Sequence, residues 1–232
     1  MAALDRDTPR HALVTGTSSG IGQAVAARLL TDGWRVTGIA RRAPQALEGD
    51  YMHLPCDLSD PEALATTVAQ AGPVDALVHA AGLLRVGPIE TADFNDGAAM
   101  WQLHVDVAAR LISLCAPDMP EGGRIVLIGS RVARGAAGRA LYAASKAALS
   151  GLARSVALEL APRQITVNIV APGATDTPML RDPARASEPP RMPPFGRLVR
   201  PEEVAGTTAF LLSPDAGAIT GQELIICAGG SL

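Results

Sequence analysis

Lysine is almost absent from this chain: Lys146 is the single one among 20 basic residues, the rest being arginine. Aromatic residues make up only 3%, so the core that a 48% apolar content allows must be built from Ala, Val, Leu and Ile. With a net charge of −3 and few aromatics, the sequence offers no basic, base-stacking surface for nucleic acid. Cys56, Cys115 and Cys227 are widely spaced. With no C-x-x-C pair and no Cys/His cluster, neither a disulfide framework nor a metal site is expected, and the three read as small apolar core residues. No run of about 18 apolar residues exists to span a bilayer, and residues 1–7 lack an apolar signal region. These absences point to a soluble cytoplasmic protein with no nucleic-acid or membrane partner.

What the 232 residues contain is an alternation of short apolar runs and longer amphipathic ones. Strands are expected at residues 11–15, 35–40, 51–55, 76–79, 124–129, 165–171 and 223–227. Helices are expected at 20–31, 60–71, 93–119, 141–160 and 201–213. Asp60-Pro61-Glu62 opens its helix with a capping carboxylate, a proline at the first position and an acid in the first turn. Strands alternating with helices mean a doubly wound α/β fold, one sheet of about seven parallel strands with helices on both faces. The irregular stretch 173–200, with prolines at 178, 183, 189, 190, 193 and 194, is expected to cover the substrate rather than to link domains. Residues 1–232 therefore read as one domain. Trp34 and Trp101 read as packing residues.

Thr15-Gly16-Thr17-Ser18-Ser19-Gly20-Ile21-Gly22 joins the first strand to the first helix. Glycines allow a tight turn and close approach of a ligand. The helix start offers free N–H groups to a phosphate, and Ser18 and Ser19 add hydroxyls that can also cap the helix. A dinucleotide site has an acid after the second strand to hold the ribose 2′-hydroxyl. Here that place reads Arg41-Arg42, which suits a 2′-phosphate, so NADP(H) is expected over NAD(H); the alternative is a pair of solvated loop arginines.

Tyr142 and Lys146 stand at i and i+4 on one helix face. A phenol titrates near 10 and is a poor proton donor at neutral pH, whereas an adjacent ammonium favours the phenolate. That the chain's one amine falls here points to a role that a guanidinium does not fill. Ser130 ends the fifth strand, at the carboxyl edge where open parallel sheets bind ligands. Between Ser130 and Tyr142 lie Arg131, Arg134 and Arg139 without an acid. They are expected to border the site and to favour an anionic substrate, unless they are simply solvated.

These residues resemble the short-chain dehydrogenase/reductase family over nearly the whole chain. Thr15 to Gly22 looks like its cofactor loop, Cys56-Asp57-Leu58 like the segment that meets the adenine, and His79-Ala80-Ala81-Gly82 stands where Asn-Asn-Ala-Gly is usual. Asn168-Ile169-Val170-Ala171-Pro172-Gly173, with Thr175 and Thr177 beyond it, resembles the stretch lining the nicotinamide. Pro201-Glu202-Glu203-Val204-Ala205 and Ile219-Thr220-Gly221-Gln222 look like the C-terminal signature, though Cys227-Ala228-Gly229 replaces Asp-Gly-Gly. The resemblance implies a Rossmann-type NADP-binding domain that transfers a hydride between nicotinamide and a carbonyl or secondary alcohol, of the ketone or 3-oxoacyl reductase kind. Tyr142 would be the proton donor, Lys146 its partner and ribose ligand, and Ser130 the oxyanion donor. It also implies a homodimer or homotetramer formed through the two long helices. His104 falls where the family's catalytic Asn is expected. It is either a member of the proton relay or a packed helix residue, and a cofactor-binding sensor without turnover is the rival reading that it leaves open.

Overall fold

The computed structural model describes residues 8–45, 47–181 and 191–232. Residues 1–7 and the middle of the 173–200 stretch, 182–190, lie outside the described residues, and so do the expectations placed on them. The strands are β1 (His11–Thr15), β2 (Arg35–Ala40), β3 (Tyr51–Pro55), β4 (Ala76–His79), β5 (Arg124–Ile128), β6 (Thr166–Pro172) and β7 (Glu223–Ile226). They form one sheet in the order β3-β2-β1-β4-β5-β6-β7, and every pairing is parallel. The order reverses between β1 and β4, so the crevice beyond their carboxyl ends is the place for a ligand.

Alternate side chains of each strand feed two cores. Leu13, Leu77, Leu127 and Ile169 face α2 (Pro61–Ala71), α4 (Val107–Cys115) and α5 (Ala140–Leu160). Val14, Val78, Val126 and Val170 face α1 (Gly20–Thr31) and α6 (Pro201–Leu212). Because both faces are covered, β1, β4 and β6 are buried along their whole length, which explains their largely apolar sequences. β3 and β7, at the sheet's two edges, are only half-buried along most of their length.

The helix starts follow the sequence in part. Asp60 accepts bonds from the N–H groups of Glu62 and Ala63 at 2.9 and 3.1 Å, as its cap position requires. Ser19 stands at the N-cap of α1 but makes no side-chain capping bond; the residue lines the cleft. The helix expected at 93–119 is three pieces: α3 (Phe94–Trp101), a wide π-turn at Gln102–Asp106, and α4. It ends early because Pro117 has no N–H to continue the ladder, although Ala116 before it still has helical backbone. Trp34 is buried beneath the Arg10 guanidinium, 4.0 Å from the ring centre. Trp101 is 45% exposed, contrary to its packing role; its neighbour Met100 takes the inward face of α3 and turns it outward.

Candidate active site

Two joined cavities occupy the crevice. The first, of about 480 Å³, lies over the β1–α1 turn. Gly16, with φ +75°, receives no side chain, because a Cβ there would stand 2.9 Å from the Ala81 backbone. A Cβ on Gly22 would strike the Gly16 carbonyl. The glycines thus leave a bare backbone cradle with the start of α1 at its floor. Ser18, Ser19, Gly20 and Ile21 complete the loop side. Arg41 and Arg42 stand exposed at the end of β2 and line the same cleft, with Asp57, Leu58, Ala80, Ala81 and Gly82 opposite. The Asp57 carboxylate accepts from the Ser59 hydroxyl and N–H at 2.7 and 3.0 Å, which hold it below the usual carboxylate range.

The second cavity, of about 530 Å³, continues from the first past Ile21, Gly82 and Thr177. Ser130, Tyr142, Lys146 and His104 all line it. Ser130 Oγ accepts from Val132 N–H at 3.1 Å, which leaves its own O–H free to donate. Lys146 is buried and donates to the Ile128 carbonyl at 2.8 Å. Burial pushes its pKa down to about 7, because a low-dielectric site penalises the ammonium. The Tyr142 ring meets the His104 ring edge-on, with centroids 5.6 Å apart. Pro172, Gly173, Thr175 and Thr177 form the far wall.

The comparisons with known proteins agree with this arrangement. A family model described as enoyl-(acyl carrier protein) reductase matches residues 16–231. The chain is 37% identical to the 3-oxoacyl-acyl-carrier-protein reductase FabG of Salmonella typhimurium, over 94% of this chain and 96% of that one. It is 36% identical to a cyclic-di-GMP-binding biofilm dispersal mediator protein of Escherichia coli, over 92% and 94%. Among solved structures, a dehydrogenase/reductase from Sinorhizobium meliloti superposes with a TM-score of 0.88 at 34% identity, covering 96% of this chain and 95% of that one. A blue fluorescent protein from a metagenomic library, solved in complex with NADPH, gives 0.86 at 32% identity, over 96% and 98%. The chain belongs to the short-chain dehydrogenase/reductase family. It is an oxidoreductase that works between a carbonyl and an alcohol with a nicotinamide cofactor.

Against that family pattern three departures take physical form. His104 sits in the π-turn, fully buried, with Nδ1 2.9 Å from Ser145 Oγ and Nε2 accepting from Leu83 N–H at 3.2 Å. His79 is also buried. The Thr15 hydroxyl accepts the N–H groups of Ala80 and Ala81 at 3.1 and 3.2 Å and so donates to His79 Nδ1 at 2.9 Å. His79 Nε2–H then donates to the Leu103 carbonyl at 3.0 Å. This ring ties the start of the cofactor loop to the π-turn, a link that sequence inspection did not find. Ala228 holds a φ of +50°, a conformation that glycine takes without penalty. Cys56 and Cys115 are buried as expected, but Cys227 is half-exposed and donates to Ser231 Oγ at 3.2 Å.

Other expectations shift in detail. Asn168 lies away from both cavities, buried, and ties β6 to the Ile219 carbonyl and the Gln222 N–H at 2.7 and 3.1 Å. Arg131 and Arg139 line the second cavity, whereas Arg134, at the end of a single turn, is exposed and outside it. Arg191, Leu84 and Met179 also line it and carried no sequence signal. Among the described residues no helix is long and apolar enough to cross a membrane.

Proposed function

We propose that this protein is an NADP(H)-dependent reductase of a ketone or 3-oxoacyl-type carbonyl. The observation that carries the reading is that Ser130, Tyr142 and Lys146 line one cavity that opens into the glycine-loop cleft. The cradle at Gly16 and Gly22 and the two arginines beside it fit a dinucleotide with a 2′-phosphate. A relative named as a 3-oxoacyl reductase, and a structural neighbour that holds NADPH, support the same reading.

In this reading the cofactor supplies the hydride. Tyr142 donates its phenolic proton to the carbonyl oxygen as the alcohol forms. Ser130 donates a hydrogen bond to the same oxygen, placed to strengthen as negative charge develops there. Lys146 keeps two donors beyond its bond to Ile128. They hold the ribose hydroxyls, and the amine's positive charge lowers the energy of the phenolate. Gly16, Ser18, Ser19, Gly20, Ile21 and Gly22 take the phosphates; Arg41 and Arg42 take the 2′-phosphate; Asp57 and Leu58 meet the adenine. Ala80, Ala81, Gly82, Pro172, Gly173, Thr175 and Thr177 enclose the nicotinamide half. The described flanks of 173–200 border the substrate space, which supports that stretch as its cover. The whole chain acts as one domain in the cytoplasm. It assembles as a homodimer or homotetramer through α4 and α5, whose outer faces expose Leu114 and Leu158.

A second reading, a cofactor-binding sensor without turnover, is favoured by one observation: both ring nitrogens of His104 are committed to protein partners. One screen separates the two. NADPH oxidation is measured with ketones, aldehydes, quinones and 3-oxoacyl thioesters, for wild type and Tyr142→Phe. Turnover by the wild type that falls at least about 10²-fold in the variant, with NADPH binding retained, supports the reductase. NADPH binding without turnover on any substrate supports the sensor.

A further inference from the structure

The outermost strand on one side of the sheet reaches the cofactor loop through a single side chain. None of the described residues of β3 lines either cavity. Tyr51 opens β3 and pairs in register with Val36 of β2. Gly38 is therefore its diagonal neighbour on the same sheet face, within reach of an aromatic ring. A Cβ on Gly38 would strike the Tyr51 hydroxyl and stand 2.7 Å from Thr17 Oγ1. The ring thus crosses β2 over a bare glycine, and Tyr51 Oη and Thr17 Oγ1 share a hydrogen bond of 3.0 Å.

Thr17 stands between Gly16 and Ser18 in the β1–α1 turn. Its two neighbours line the cleft, whereas Thr17 is fully buried and its hydroxyl is turned toward β3. A turn rich in glycine has wide backbone freedom, so the anchors beneath it decide where its N–H groups point. Gly16 N–H donates to the Ile39 carbonyl at 2.8 Å, and Thr15 Oγ1 accepts from Ala80 and Ala81. Both of these anchors come before Thr17 in the chain, and the bond to Tyr51 holds the next residue of the turn. We propose that Tyr51 is a positioning residue for the cofactor: its hydroxyl, acting through Thr17, keeps the Gly16–Gly22 turn in the shape that takes the pyrophosphate. This rests on the reading of that turn as the phosphate cradle. Without the Tyr51 hydroxyl, the Thr17 hydroxyl stays buried and loses this partner, and the turn shifts to satisfy it.

The test is a set of dissociation constants for wild type, Tyr51→Phe, Thr17→Val and the double variant. The ligands are NADPH, NADH and adenosine 2′-monophosphate. The first two carry the pyrophosphate; the third has the adenine and the 2′-phosphate without it. Tyr51→Phe is expected to weaken NADPH and NADH alike by about fivefold, the worth of one hydrogen bond, and to leave adenosine 2′-monophosphate unchanged. The double variant should lose no more than the weaker-binding single variant, because the two hydroxyls act as a pair. In turnover the KM for NADPH should rise while kcat at saturating NADPH is retained, since Tyr142 and Lys146 are untouched. Equal NADPH affinity in wild type and Tyr51→Phe overturns the proposal alone. So does a loss shared by adenosine 2′-monophosphate, which would mark a general structural role, or losses that add in the double variant. A wild type that binds neither NADPH nor NADH removes the cradle reading and the proposal with it. The expected pattern of constants in a protein that turns over nothing upholds the anchor and removes only the reductase reading.

Discussion

His104 and Ser145 are joined by a 2.9 Å bond between Nδ1 and Oγ that fixes the state of the imidazole. The Ser145 hydroxyl gives its proton to the Tyr142 carbonyl at 2.8 Å, so the hydrogen shared with His104 belongs to Nδ1. Nε2 is then the acceptor for Leu83 N–H. Burial, reinforced by Lys146 and then by His79, holds the pKa down at about 2. His104 is therefore a neutral brace between the Tyr142 helix and the chain after Gly82, and it exchanges no proton at working pH. His79 is held neutral in the same way, its pKa lowered to about 4 by burial and then by Lys146.

Two histidines that fold in the neutral form make the protein sensitive to acid. An unfolded histidine titrates near 6.5. Below that pH the unfolded chain binds protons that the folded one refuses, so stability falls as pH drops from about 6.5 toward 4. His79→Asn/His104→Asn keeps polar groups at both places and removes this titration. The expected outcome, read from chemical denaturation between pH 7 and about 4.5, is a distinctly flatter stability profile in the double variant. Parallel profiles would show that neither ring is neutral for the reason given.

The cofactor prediction rests on Arg41 and Arg42 at the end of β2. NADPH is expected to bind more tightly than NADH by about tenfold or more, since a hydrogen bond to a charged group contributes about 1.5–3 kcal/mol. Both side chains are exposed, so the preference should shrink as salt rises. Arg41→Asp/Arg42→Asp should reverse it, the new carboxylates repelling a phosphate and accepting from a ribose hydroxyl. Dissociation constants for the two cofactors decide the matter, and equal values in the wild type would refute it.

The sheet was readable because both of its signals are local. Apolar runs such as Leu127-Ile128 mark strands covered on both faces, and the loop from Gly16 to Gly22 marks the first turn into a helix. Tyr142 and Lys146 were readable for the same reason, since helical spacing alone puts them on one face. The π-turn was not. One extra residue in a helical turn leaves no mark on composition or periodicity, yet it is what seats His104 beside Ser145. The bonds of His79 join segments far apart in the chain, and no window of sequence contains both partners. Arg131 and Arg134 look equivalent as letters, and only the tight turn between them decides which one enters the cavity.

Lys146 gives the sharpest test of how the site is built into the fold. Its ammonium is buried against the Ile128 carbonyl with its pKa pushed down to about 7, while an unfolded lysine titrates near 10.4. Between these values the unfolded chain holds a proton that the folded chain has released, so this group makes stability rise with pH from about 7 upward. Below about 7 the folded protein bears the full penalty of a buried ammonium. Cys115 acts the other way above about 9, because burial raises its thiol to about 12. Comparing wild type with Lys146→Met cancels that contribution, since Cys115 is unchanged in both. The variant keeps most of the side-chain volume and lacks the titration, so its stability relative to wild type should be most favourable at pH 7 and below and should decline steadily toward pH 9. Denaturation midpoints of the two cofactor-free proteins across this range are the measurement. A difference that does not vary with pH would mean that burial does not lower the Lys146 pKa in the folded protein.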